Sequence, residues 1–181
     1  MANRTLVAGR GINDSEYPTQ ARMLGRVYHC PYFTAWCRMM RSKDPVSPAW
    51  LRFSVFAKWM HNQDWHNRQI DRYLFGDGKL YGPETCCFLS KDIASAVRSL
   101  RLDLKKGIDQ PLGLSASKPF RAVVNGRHVG YFESRGAAQR ATRSTRRQII
   151  LGALADYNNG IQKALMELCL ATDSKGLSTR T

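Results

Sequence analysis

The sequence predicts an α+β chain. A mainly helical front half ends in a hairpin and helix, a ββα order, and a small antiparallel sheet packed on a helix follows. Three observations predict this. Apolar residues recur at helical spacing through residues 31–60. Asp77-Gly78 and Asn125-Gly126, strong two-residue turn signals, each lie between short strand-like runs. The stretch 118–147 joins the second hairpin to a helix-like run. It carries Lys118, Arg121, Arg127, Arg135, Arg140, Arg143, Arg146 and Arg147 against one acid, Glu133. A small sheet and helix so charged most naturally faces a polyanion. The expected organisation is a basic N-terminal tail over 1–25, a first domain over 26–100, a linker over 101–111 and the sheet-and-helix domain over 112–172.

Of 181 residues, 28 are Lys or Arg and 14 are Asp or Glu, a formal charge of +14. That charge points to nucleic acid, an acidic membrane surface or an acidic protein partner. Hydrophobic residues make up 43%, which excludes a wholly disordered chain. A membrane partner is disfavoured, because no apolar run approaches the roughly 18 residues of a spanning helix. Residues 1–11 lack the apolar core of a secretory signal, so a cytoplasmic location is expected. Cys30, Cys37, Cys86, Cys87 and Cys169 are odd in number and irregularly spaced. They fit neither a disulfide framework nor C-x2-C zinc knuckles and read as buried free thiols. Residues 61–97 carry four basic and five acidic side chains, whereas 1–60 carry nine and three and 98–147 carry twelve and three. Two basic regions bracket a nearly neutral block, and chemistry is to be sought in that block.

Each element has its own signal. Residues 1–20 read as a tail because Gly9, Gly11, Asn13, Asp14 and Pro18 interrupt regular patterns. A first helix spans 31–43: Tyr32, Trp36 and Met39 or Met40 share a face, Pro31 suits the first turn, and Arg38, Arg41 and Lys43 suit its end. Pro48 opens a second helix through about residue 60, with Leu51, Val55, Phe56 and Trp59 on its apolar face. Residues 70–74 alternate like a strand, 75–79 turn, and Leu80-Tyr81 forms the short return strand. Ser90-Lys91-Asp92 can cap a third helix through about residue 99. The basic linker holds Lys105 and Lys106 as candidate phosphate contacts and leads to a strand-like run over 112–115. Phe120, Ala122 and Val124 alternate with Arg121 and Val123, and 128–132 is the partner strand. Ser134 caps a helix whose inner face holds Ala137, Ala138, Ala141, Thr145, Ile149 and Ala153, leaving the arginines mostly elsewhere. Residues 157–160 stop it, and 161–171 form a last helix with Ile161, Leu165 and Leu168 on one face.

The runs KPFRAVV, NG, HVGYF and ESRGAAQRA resemble the AP2-type DNA-binding domain in its phage homing-endonuclease version. That pattern is K-x-(W/F)-R-A, a turn, G-x-F, then a helix with E/D-x-A-x-x-A. Phe120, Arg121 and Ala122 match the first strand, Gly130 and Phe132 the next, and Ala137 or Ala138 and Ala141 the helix. The resemblance implies a three-stranded sheet over one helix, with the exposed sheet face entering the major groove. RFSVFAKWM, QDW, IDRYL and GDGKLYGPETCCFLS resemble the phage HNH-like nuclease pattern W-x-x-F-x-x-F-x-x-W, L-D-K-D, G-N-K-x-Y-S-P-E-T-C-x-F-V. Trp50, Phe53, Phe56, Trp59, Asp71, Gly78, Lys79, Tyr81, Pro83, Glu84, Thr85, Cys86, Phe88 and Leu89 carry that match. The two blocks stand in the order of phage HNH-like homing endonucleases with a C-terminal AP2-type domain. The resemblance therefore implies a host-cell cytoplasm.

It also implies site roles. An HNH nuclease sets a divalent ion beside the scissile phosphate and a His beside the attacking water. At the position of that base this chain has Arg72, which stays charged and cannot be an ordinary general base. Clamping phosphate is its alternative role. Tyr73 stands where the second acid of L-D-K-D would be. Asp71, Asp77 and Glu84 are the candidate ligands for Mg²⁺ or another divalent metal, with Asp92 near the position of the family's Asn. His66 supplies the missing base if its loop folds back on Asp71, and is otherwise a surface histidine; Glu84 otherwise caps its turn. Arg121, Arg127 and His128 flank the second hairpin as candidate base or phosphate readers. Lys118, Arg140, Arg143, Arg146 and Arg147 are candidate phosphate contacts or solvated surface. The missing base and acid favour binding of double-stranded DNA on a nuclease scaffold that no longer cuts. The alternatives are an active metal-dependent HNH endonuclease or nickase, and a non-enzymatic accessory protein holding a host protein or RNA.

Overall fold

The structure is a computed structural model that describes residues 6–16, 18–104, 106–111 and 117–177, with side chains through residue 172. The fold is mixed α+β, with several small antiparallel sheets and intervening helices. The chain divides into two compact units, Met1–Phe88 and Leu89–Thr181.

In the first unit, helix α1 (Pro31–Arg41) starts on proline, whose fixed φ suits a first turn. The expected helix over 48–60 is split. A 3-10 turn (Pro48–Leu51) precedes α2 (Phe53–His61), because Arg52 between them is extended at φ −96°, ψ 126°. The core gathers Trp36, Met40, Trp50, Phe53 and Phe56, and the Trp36 ring N–H donates to the Trp50 carbonyl at 2.7 Å.

The expected tail is built structure. Strand β1 (Leu6–Val7) pairs with β2 (Gly11–Ile12), and β3 (Gln20–Met23) with β4 (Arg26–His29). Arg10 donates to the carbonyls of Met39, Met40, Ser42 and Asp44 at 2.7–3.0 Å. Those at Met39 and Met40 belong to the last turn of α1, whose carbonyls lack helical partners and favour a cation. Gly11 passes so close to α1 that a Cβ there would lie 2.7 Å from Met40 Cγ. Asp14 serves the start of α2 in the same way. It accepts from the Ser54 N–H and hydroxyl at 2.8 Å and from Arg52 Nε at 2.9 Å.

The return strand also differs. Strand β5 (Gln69–Asp71) pairs with β6 (Cys87–Leu89) rather than with 80–81. The continuous apolar run from Cys86 is wholly buried and is the better strand. Tyr81 instead bonds the segment before the 3-10 turn: its N–H donates to the Pro45 carbonyl at 3.0 Å, and its carbonyl accepts from Ser47 at 2.7 Å.

In the second unit, α3 (Lys91–Arg101) carries the expected cap, the Ser90 hydroxyl accepting from the Ile93 N–H at 3.4 Å. It packs on α4 (Arg135–Gly152) and α5 (Asn159–Leu177), so the unit boundary lies before α3 and not near residue 100. The expected linker holds a strand. Strand β7 (Ile108–Asp109) joins β8 (Phe120–Val124) and β9 (Arg127–Phe132) in a three-stranded antiparallel sheet of order β7-β8-β9. Gly107 makes that approach possible. Its φ is +80°, its carbonyl accepts from the Val123 N–H at 2.7 Å, and a Cβ would strike the Val123 carbonyl oxygen. The strand-like run over 112–115 lies outside the described residues.

Ala122 and Val124 of β8 are buried, and β8 packs on α4. The buried line of α4 is Ala138, Thr142, Arg146 and Ile150, with Ser134 as its cap. That line is rotated from the expected inner face. Ala138 alone is common to both, while Ala137, Ala141, Thr145 and Ile149 are only half-buried. The Tyr157 hydroxyl accepts from the Ser90 N–H at 3.0 Å, tying the turn before α5 to the start of α3. Asn158 accepts from the Ile161 N–H at 3.0 Å, so the last helix has a side-chain cap. All five cysteines are free, and all but Cys30 are buried.

Candidate nucleic-acid interface

The β8 alternation sends Ala122 and Val124 inward and Arg121 and Val123 to the opposite face. The register then fixes their neighbours. Arg121 stands between Asp109 on β7 and Tyr131 on β9, and Val123 stands opposite His128. His128 and Tyr131 are three apart, and simple alternation would put them on opposite faces. A bulge between Ala122 and Val123 shifts the register and brings their rings to 4.6 Å. The open face thus carries Asp109, Arg121, Val123, His128 and Tyr131. Tyr131 remains 44% exposed, and His128 and Arg127 are exposed.

Arg121 is held as a fork. Its Nε and Nη2 donate to the two Asp109 carboxylate oxygens at 3.0 and 2.6 Å. The guanidinium bonds hold the Asp109 carboxyl below the usual carboxylate range. Two of the five N–H donors of a guanidinium are used in such a pair, and the Nη1 end stays outside it. Lys118, just before β8, is exposed. Sequence reading selected Arg121, Arg127 and His128 but missed Asp109 and Tyr131, the neighbours that orient two of them. The N-G turn gave the β8–β9 pairing, but nothing local marked β7.

The helix arginines divide. Arg140 is exposed. Arg143 pairs with Asp103 at 2.6 Å with its side chain 29% exposed, and Arg147 is half-buried. Arg146 is not a surface residue. It is 7% exposed and donates to the Lys106 carbonyl at 2.9 Å. Burial and the neighbouring Arg143 charge lower its pKa from the ordinary arginine value. Lys106 itself is exposed, and Lys105 lies outside the described residues.

In the first unit the proposed metal ligands do other work. Asp71 is 4% exposed, and its Oδ1 accepts from the N–H groups of Tyr73 and Leu74 at 2.9 and 2.8 Å. Asp77 is bound to the Lys79 N–H at 2.9 Å and to its ammonium at 3.2 Å, and Glu84 is exposed. Among the described residues no three His, Cys, Asp or Glu side chains are grouped to hold a metal. Asp71, Asp77 and Glu84 therefore do not fit a divalent ion together. Arg72 pairs with Asp44 at 2.8 Å and lies over the Tyr81 ring at 4.4 Å. Burial opposes its charge, but the Asp44 bond and the nearby acidic groups outweigh that and raise its pKa. Its Nη1 is buried without a hydrogen-bond partner. His66 is exposed and stacked on Trp65 at 3.8 Å. The unit also holds a cavity of about 490 Å³ lined by residues including Arg38, Trp65, Arg68, Tyr81 and Phe88. None of His66, Arg72, Asp71, Asp77 or Glu84 lines it.

Among the described residues no helix is long and apolar enough to cross a membrane. No protein-family model, curated protein or solved structure matches this chain.

Proposed function

We propose that the protein binds double-stranded DNA through the open face of the β7-β8-β9 sheet, and that its nuclease-like block does not cut. The single observation that carries this is the face itself: Arg121 fixed by Asp109 beside exposed His128, with Arg127 and Lys118 exposed at the two ends of β8. A fixed guanidinium with outward donors suits the paired acceptors of a guanine edge, and the exposed cations suit phosphates. The scaffold we infer is HNH/AP2-like. What supports it is a three-stranded sheet packed on one helix, α4, and the order β5, β6, α3 along the chain. What supports binding over cleavage is the inward commitment of Asp71 to backbone amides and of Arg72 to Asp44.

The test uses the full chain on supercoiled plasmid and linear duplex, with Mg²⁺, Mn²⁺ or EDTA. Binding in every buffer and nicking in none is expected. Metal-dependent nicking that disappears in Asp71→Ala would replace this reading with an active nuclease. No retardation of either DNA at low salt would move the basic surface to an acidic protein or RNA.

A further inference from the structure

The β3–β4 ribbon is an anomaly of the first unit. Every residue from 20 to 29 is exposed, so neither face of the ribbon is covered. A two-stranded ribbon normally draws its stability from a covered face. Its tip is apolar: Leu24 is 92% exposed and Met23 61%. Leu24 also sits at φ +50°, followed by Gly25 at +72°. That left-handed pair is the tight hairpin turn for which Asn-Gly is preferred, and it is disfavoured for leucine. The same chain makes the same turn between β8 and β9 with Asn125 at +50° and Gly126 at +78°. Leucine at the first tip therefore departs from the residue its backbone asks for, at a place where it contacts nothing internal. A strained, exposed apolar residue points to a contact outside the chain.

The flanks state the chemistry of that contact. Arg22 and Arg26 lie one on each strand beside the tip, with register Arg22↔Val27 and Met23↔Arg26. No acid occurs between Glu16 and Asp44 in the sequence. An apolar point between cations is the arrangement that unstacks a base step from the minor groove while holding the neighbouring phosphates.

We infer that the β3–β4 ribbon is a DNA wedge: Leu24, with Met23, enters a base step of the duplex, and Arg22 and Arg26 hold the flanking phosphates. This rests on the duplex-binding reading and deepens it, since a wedge kinks the DNA it binds.

Leu24→Asn is a clean test, because it restores the turn chemistry the chain already uses and leaves the ribbon intact. The full chain is mixed with a duplex carrying 2-aminopurine reporters and a fluorescence-transfer pair at its ends. The wild type raises reporter emission and shortens the end-to-end distance. Leu24→Asn still binds and loses both signals. The double change Arg22→Ala, Arg26→Ala lowers the log–log salt slope by about 2. Wild-type binding without a kink, or an unchanged kink in Leu24→Asn, overturns the wedge and leaves duplex binding standing. No wild-type binding at low salt overturns both. Leu24-dependent sedimentation with phosphatidylserine vesicles, without a DNA kink, overturns the wedge in favour of a lipid surface.

Discussion

Arg121 and Asp109 act as one group. The carboxylate offsets the guanidinium charge, and its two bonds fix the guanidinium in place. Removing Asp109 therefore has two opposite effects. Asp109→Ala is expected to tighten binding to arbitrary duplex and to lower the ratio of preferred-site to arbitrary affinity, as read by competition after selection from a random duplex pool. Arg121→Ala is expected to reduce preferred-site affinity by about 1–3 kcal/mol and arbitrary affinity less. Equal losses on both DNAs would assign Arg121 to phosphate alone. A second residue-scale prediction concerns Asp14, whose side chain is 7% exposed. Burial opposes its charge, but the bonds from Ser54 and Arg52 outweigh this and hold the carboxyl below its usual range. A folded-state pKa below the unfolded one stabilises the fold above the unfolded value. That stabilisation is lost as pH falls through the folded value. Asp14→Ala should cost about 1 kcal/mol at neutral pH, and the gap from wild type should close in acid. Thermal melts of both proteins from pH 7 downward check this, and a gap that stays constant would remove Asp14 from the cap.

At the scale of elements, α4 separates two kinds of arginine. Arg146 lies in the buried line with its donor on the Lys106 carbonyl, whereas Arg140 faces out. Arg146→Ala removes that bond and the packing of a buried side chain and is expected to cost about 1–3 kcal/mol of stability without changing the salt slope of binding. Arg140→Ala is expected to leave both the melting temperature and the salt slope alone, because α4 packs on the covered side of the sheet and the proposed DNA face is the open one. Paired melts and anisotropy titrations decide between these roles. The elements legible in the sequence are those whose signals are local. Pro31 starts α1, Ser90 and Ser134 cap α3 and α4, and Asn125-Gly126 closes β8 on β9. Strand β7 was not legible: it is two residues long, and the positive φ of Gly107 matters only because Val123 lies against it. The two built features in the expected tail, Arg10 and Asp14, were hidden because their partners lie 29–40 residues downstream. The inner face of α4 was misplaced because Ala137, Ala141 and Ile149 form an apolar row beside the true line, and a long arginine stem can run through a core.

At the scale of the whole molecule, the formal charge of +14 belongs to two basic regions around a nearly neutral block. The candidate site was only partly legible there. Charge and the hairpin gave Arg121, Arg127 and His128. Register and the bulge, which bring His128 beside Tyr131 and Asp109 beside Arg121, are properties of the folded sheet. The positions of acids along the chain likewise do not say which carboxylates turn inward to their own backbone, as Asp71 does. The most direct measurement is the salt dependence of duplex affinity for the full chain beside the double change Lys118→Ala, Arg127→Ala. Binding through the sheet face and the cations at the ends of β8 predicts a steep fall of affinity with salt and a log–log slope lower by about 2 in the double variant. A flat salt dependence, or the same slope in both proteins, would contradict it.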